Sequence, residues 1–272
     1  MQLSPSIPLS GIVKHYLLLT TENNIRLNYR LFADGNPGIV FHLGDPLIQY
    51  AGNHQAGNMQ PASFAYGQIS HYNDVMSTGK LGMLVVVLQP YSIYSLFRIA
   101  AFELNNCIIK LADFFGQEAM VLEDQVISTP GIHRKIAAIE RFLLRRAEYI
   151  NEPDHLLKES LQVIYQYRGD VTIEAVLKKV AVTERQLERK FRQYIGTSPK
   201  RYAEIIKFHH FLRLLQHCSG GKKISDVAYE SGYYDQSHLN GHFKKITGVT
   251  PMQYKRDYQL LATNFMQLPE NV

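Results

Sequence analysis

Apolar and polar residues alternate, or gather in short blocks, through the first third of the chain; beyond that they fall into helical spacing. Residues 16–21, 25–32, 38–43 and 81–88 are runs rich in β-formers. Asp34-Gly35-Asn36-Pro37, Gly44-Asp45-Pro46 and Ser77-Thr78-Gly79 punctuate them with turn signals. Short strands at this spacing predict a small antiparallel barrel or sandwich. Residues 84–90, LVVVLQP, do not alternate, which predicts a strand covered on both faces. After Pro90 the pattern turns helical: residues 91–97 read as a short helix, and 100–131 as an irregular region.

A longer helix is predicted over 132–150. Ile132, Ile136, Ile139, Leu143, Ala147 and Ile150 recur every three or four residues and form one stripe, which Phe142 widens. Two uses of that stripe are open. It packs against the β domain, or Ile136, Ile139 and Leu143 form a dimer seam with a second copy, or, since Phe142 widens the face, it does both. Asn151-Glu152-Pro153-Asp154 then breaks the helix, and Asp154 is suited to cap the next one. The pattern divides the chain into a β-rich domain at 1–131, a connector at 132–153, a helical domain at 154–260 and a tail at 261–272 that is expected to fray.

The helical domain contains an internal repeat. Residues 173–202, IEAVLKKVAVTERQLERKFRQYIGTSPKRY, align with residues 224–254, ISDVAYESGYYDQSHLNGHFKKITGVTPMQY. A shift of 52 sets Leu187 on Leu239, Phe191 on Phe243, Gly196 on Gly248 and Tyr202 on Tyr254. Before the turn the shift is 51, so the second copy has one extra residue there. Each copy reads as two short helices across a tight turn, closed by Gly-x-Ser/Thr-Pro. In the second helix of each, one face is apolar and the other carries short polar or cationic groups. That is the logic of a helix-turn-helix. Thr183 with Gln186 spells a capping box at the start of one such helix. A helix from Pro199 to about His217 links the copies; at 1.5 Å per residue it is roughly 27 Å long, close to one turn of DNA.

Charge follows the repeat. Residues 1–152 hold 11 Lys+Arg against 12 Asp+Glu, whereas 178–256 hold 16 against 6. A cationic excess over this segment is what a phosphate-binding surface requires. The overall composition, 46% hydrophobic and 19% charged, is that of an ordinary globular protein. The two cysteines, Cys107 and Cys218, are far apart and suit a reducing cytoplasm, the expected location. No run approaches the ~20 apolar residues of a membrane span.

The quoted motifs of both copies resemble the AraC/XylS family of bacterial transcription regulators. The resemblance implies a seven-helix domain reading two successive major-groove segments of double-stranded DNA. It implies base contacts from Arg185, Glu188 and Arg189 in the first copy, and from Ser237 and Asn240 in the second. Arg192, Gln236, His238, Lys244 and Lys245 are flanking or backbone contacts. Arginine reads guanine bidentately, glutamate accepts from cytosine and asparagine reads adenine. Three residues depart from the family pattern: Leu177 and Ala181 stand where small residues and glycine are usual, and Gly241 where arginine is common. The first copy is therefore expected to carry more of the specificity.

The N-terminal region more loosely resembles the cupin-like sensor domains of the family, through FHLGDP at 41–46 and LNNCIIKLADFFG at 104–116. The whole chain is then an α+β protein: a cupin-like antiparallel β domain with helices, followed by an all-α domain with two helix-turn-helix units. Phe41, His42, Phe64, Tyr66, His71 and Tyr72 are candidates to line a pocket for a small effector, or else are core residues. His15, His42, His54, His71 and His133 stand singly, with no His-x-His pair, so neither a metal nor another cofactor is expected. No phosphate loop, nucleophile elbow or Cys-x-x-Cys occurs, and the chain is read as no enzyme. The partners this reading implies are DNA, RNA polymerase, an effector and, in a dimer, a second copy. A cupin-type enzyme fused to a DNA-binding domain, and a repeat that binds protein, are the competing classes.

Overall fold

Nine strands precede the first α-helix of the computed structural model, which describes residues 1–21, 24–50, 57–147, 154–218 and 223–269. They are β1 (Gln2–Leu3), β2 (Val13–Thr20), β3 (Asn28–Leu31), β4 (Gly38–His42), β5 (Leu47–Gln49), β6 (Asn58–Met59), β7 (Ser63–Tyr66), β8 (Asn73–Ser77) and β9 (Gly82–Leu88). Helix α1 (Ser92–Phe97) and a 3-10 turn (Ala101–Leu104) lead to β10 (Ile108–Lys110), α2 (Leu111–Phe115), α3 (Gln117–Ser128) and α4 (Ile132–Ala147). The second half holds α5 (His155–Gln166), α6 (Ile173–Val180), α7 (Glu184–Tyr194), α8 (Pro199–Gln216), α9 (Ile224–Glu230), α10 (Gln236–Thr247) and α11 (Pro251–Asp257). Two strands follow, β11 (Gln259–Ala262) and β12 (Phe265–Gln267). His54, the break at 151–153 and residues 219–222 of the exit loop lie outside the described residues.

The fold is α+β. Two antiparallel sheets form the N-terminal domain, one ordered β1-β2-β9-β4-β7-β10 and the other β11-β12-β3-β8-β5-β6. Strand β9 explains its own lack of alternation. Met83, Val85 and Val87 face the second sheet, while Leu84, Val86 and Leu88 face α1 to α4. The first sheet is thus the middle layer of three, and every residue of β9 is buried.

Two expectations are corrected here. Residues 100–131 are not irregular, for they contain the twelve-residue helix α3, whose Ala119, Leu122 and Val126 pack on the first sheet's core. Helix α4 is described over Ile132–Ala147, with residues 148–150 and so Ile150 of the stripe outside the described residues, and it offers no seam: Ile136, Ile139 and Leu143 are 8%, 1% and 1% exposed, buried in the domain's own core. Glu140 on α4 accepts hydrogen bonds from Ser6 N at 2.8 Å and Tyr16 Oη at 3.2 Å, which fixes the helix on the sheet.

The tail is corrected too. Helix α11 stops at Asp257, and β11 and β12 form a hairpin that returns to the N-terminal domain. Strand β12 pairs with β3, Phe265 opposite Leu31, Met266 opposite Arg30 and Gln267 opposite Tyr29. Phe265 stacks on Tyr29 at 5.1 Å inside the sandwich. Met266 is fully buried in one cluster with Phe32 after β3, Phe208 and Phe211 of α8, and Val227, Leu239 and Phe243 of the second helix-turn-helix unit. One hairpin therefore closes two cores, and fraying would uncover both.

Candidate nucleic-acid interface

Each recognition helix is built by the rules its sequence spells. In the first unit the Thr183 side chain accepts from Gln186 N at 3.3 Å, and the Gln186 side chain accepts from Thr183 N at 3.1 Å. Leu187 and Phe191 face inward against Val176, Val180 and Tyr202. In the second unit Asp235 caps α10 by accepting from His238 N at 2.7 Å, and Leu239, Phe243 and Ile246 face inward. Ser198 and Thr250 cap the helices that follow, α8 and α11, in the same way. Asp154 caps α5 and also pairs with Lys190 on α7.

The candidate contacts fall on the outer faces. Arg185 and Arg189 are exposed, with Glu188 between them half-buried. Burial and the neighbouring Glu184 raise the Glu188 carboxyl above its usual value. Gln236, Ser237, His238, Lys244 and Lys245 are exposed and Asn240 is half-buried. Gly241 has nothing within 4 Å of where a Cβ would sit, so this stretch of α10 is open to a close approach. Arg192 is exposed, with its guanidinium 4.7 Å over the Phe102 ring of the N-terminal domain. Tyr229 and Tyr234, 79% and 90% exposed, flank the turn of the second unit and were not singled out from sequence.

The two units are joined by α8, whose buried residues are spread around its axis rather than gathered in one stripe. Tyr202, Ala203, Ile205, Phe208, Phe211, Leu212 and Leu215 are all buried, while Lys200, Arg213 and Gln216 are exposed. One face meets the N-terminal domain, where His209 bonds the Ala33 carbonyl at 2.7 Å.

A cavity of about 630 Å³ lies between the two sheets and opens onto this face of α8. Val40, Phe64, Val75, Val85 and Phe265 form its apolar walls. Lys14, Asp34, His209 and Arg213 form its polar end. Lys14 donates to Asn36 Oδ1 at 3.1 Å, and burial holds its ammonium below the usual lysine range. Of the pocket candidates, Phe64 and Tyr66 line this cavity. The others do not. Phe41 points to the opposite side of the first sheet, His42 bonds Gln60 Oε1 at 3.1 Å, and His71 is exposed. Tyr72 lies under the Arg30 guanidinium at 4.0 Å. The inward sense was right for Phe64 and wrong for Phe41 because adjacent β4 and β7 residues point to opposite layers. The contribution of α8 was missed; the signal for it is that its apolar residues fall on more than one face of the helix.

Among the described residues no group of three His, Cys, Asp or Glu is placed to hold a metal, and no helix is long and apolar enough to cross a membrane.

Residues 176–257 match the family model of a helix-turn-helix domain, and residues 1–110 match that of a domain of unknown function. The lactose operon transcription activator of Staphylococcus xylosus is 31% identical over 94 residues, 35% of this chain and 33% of that protein. The arabinose operon regulatory protein of Escherichia coli is 30% identical over 127 residues, 44% of this chain and 43% of that protein. Residues 176–257 of the chain therefore carry a helix-turn-helix domain similar to those of bacterial operon regulators. Among solved structures, ToxT from Vibrio cholerae aligns over 88% of this chain and 97% of that one, at 12% identity and a TM-score of 0.49. The chain matches between a third and about half of the length of the curated relatives compared, 33% to 52%.

Proposed function

We propose that the chain is a sequence-specific, double-stranded-DNA-binding transcription regulator whose N-terminal domain is modulated by a small effector. One observation carries the DNA reading. Two equivalent helices, α7 and α10, present polar outer faces from the two sides of one 18-residue helix. The basic excess over 178–256 supplies phosphate attraction, and the arginines, Glu188, Ser237 and Asn240 supply base readout. The test is selection of the full chain on random duplex DNA at two salt concentrations. A bipartite motif whose binding weakens steeply with salt is the expected result. Enrichment of no sequence at either salt would overturn the reading.

The effector reading rests on the cavity. Its volume suits a small molecule, and its walls fit an apolar body with a polar or anionic group near Lys14 and Arg213. Because α8 lines the polar end, occupancy bears directly on the helix that joins the two units. The melting temperature of the full chain across a metabolite panel tests this. A ligand whose shift disappears in Arg213→Ala supports the reading, and a flat panel counts against it. The mass of the DNA complex decides between one chain and a homodimer. RNA polymerase as a partner belongs to the regulator reading and is tested by in vitro transcription from a selected site.

A further inference from the structure

The internal repeat places Gly196 and Gly248 at the same point, just past the end of each recognition helix. Both adopt left-handed backbone, φ +91° and +78°. Both also press against the N-terminal domain. Asn105 Nδ2 donates to the Gly196 carbonyl at 2.6 Å, and a Cβ on Gly196 would stand 2.6 Å from Asn105 Oδ1. Arg30 Nη1 donates to the Thr247 carbonyl at 3.2 Å, and a Cβ on Gly248 would stand 2.4 Å from that same nitrogen.

Neither grip is loose. Arg30 sits in β3 and is locked by a bidentate pair with Asp74 of β8, at 2.6 and 2.7 Å, and by stacking on Tyr72. The hairpin of β11 and β12 adds a second tie between β3 and the second unit. Asn105 follows the 3-10 turn, and beside it Tyr94 packs on Tyr194 at 4.5 Å. The N-terminal domain thus holds both recognition helices by their C-terminal ends. Arg185 and Arg189, and Gln236 and Ser237, stay exposed on the turns nearer the N-terminus.

We propose that Arg30 and Asn105 are spacing-determining residues, and that the N-terminal domain is a jig fixing the separation of the two recognition helices. This rests on the reading of the two units as a DNA reader. The linker helix α8 meets the two units in separate apolar cores, Tyr202 and Ala203 in the first and Phe208 and Phe211 in the second. Two anchors on the N-terminal domain, Arg30 in β3 and Asn105 after the 3-10 turn, tie the units to a common body besides α8. A reader with a fixed separation accepts one spacing of its two half-motifs, because each added base pair both translates and rotates the second groove segment.

Two measurements test the proposal on the full chain. In the first, Cys107 and Cys218 are replaced by serine, and spin labels are attached through Glu184→Cys and Gln236→Cys. Dipolar spectroscopy then reads the separation of α7 and α10. One narrow distance is expected, broadening clearly in Arg30→Met combined with Asn105→Ser. A distribution equally narrow in the variant means that α8 alone sets the geometry, and overturns the proposal. Asn105→Ser alone, at a junction outside both sheets, serves if the double variant does not fold.

The second measurement compares the best selected duplex with one carrying a single base pair inserted between half-motifs. The native chain is expected to prefer the first by at least about tenfold, the size of a typical single-position penalty. In the variant the preference should fall below about threefold, with affinity for the best duplex little changed. Unchanged spacing preference overturns the proposal. If no duplex is bound at all, the DNA reading itself fails and the spacing role with it, while the label distances still decide whether the grips exist.

Discussion

Ala181 and Gly232 hold equivalent places in the two helix-turn-helix turns, and both take left-handed backbone, φ +54° and +80°. The second turn uses the residue that tolerates this conformation; the first forces a Cβ into it. Ala181→Gly is therefore expected to raise stability by roughly 0.5–1 kcal/mol, the strain relieved less the entropy glycine adds to the unfolded chain. Gly232→Ala should cost about 2 kcal/mol or more, because its Cβ would also stand 2.4 Å from the Asp170 carboxylate. Urea midpoints of the two variants, at unchanged slope, check both signs.

The C-terminal hairpin gives the second prediction. Met266 is fully buried between the sandwich and the second unit. Met266→Ala should destabilise the chain by about 2–5 kcal/mol, the usual cost of emptying a buried site of this size. The loss should appear as one cooperative transition covering both domains, since the residue belongs to their shared boundary. A loss confined to a few tenths of a kcal/mol, as for a frayed tail, would show that the hairpin does not stay docked.

Much of this architecture is legible in local pattern. The repeat, the capping box at Thr183 and the extent of α8 follow from spacing and short-range chemistry alone. So does the double-faced burial of β9. What pattern cannot reveal is which surface a stripe meets. The stripe of Ile136, Ile139 and Leu143 fits a partner copy as well as the chain's own sheet, and only their burial in the folded domain, with the Glu140 bonds to Ser6 and Tyr16, distinguishes the two. The hairpin was readable in part, as apolar residues on both sides of Thr263-Asn264, but its pairing with a strand over 230 residues away is not a local property. The same holds for the cavity. Phe64 is legible as an inward aromatic, whereas Lys14 and Arg213 converge through tertiary packing.

Acid sensitivity follows from the histidines. Burial lowers the imidazoles of His15, His42, His209 and His210, and pushes His242 down to about 4. The unfolded chain protonates these rings near pH 6.5 and the folded chain resists doing so. Their contribution to stability is therefore complete above about pH 6.5 and is lost as pH falls toward the folded values. The melting temperature should drop by more than about 5 °C between pH 7 and pH 5, a window lying mostly above carboxylate titration. His242→Gln keeps a polar group near the Tyr233 hydroxyl, which lies 2.8 Å from His242 Nδ1, and should flatten that slope. An unchanged slope in the variant would assign the acid sensitivity elsewhere.

The two recognition helices should contribute unequally to DNA affinity. Helix α7 offers Arg185 and Arg189 with Glu188 between them, while α10 offers Ser237 and Asn240 beside the bare Gly241. A bidentate arginine contact is worth about 1–3 kcal/mol of discrimination, so Arg189→Ala should weaken binding by that amount and relax one base position. Arg192→Ala should cost less than a full phosphate contact, because Phe102 already holds its guanidinium. Lys244→Ala should weaken all sequences alike and lower the salt dependence by about one ion. Competition assays with the selected duplex at two salt concentrations separate these effects. If Asn240→Ala costs more than Arg189→Ala, the second unit dominates and the ranking drawn from the side chains is wrong.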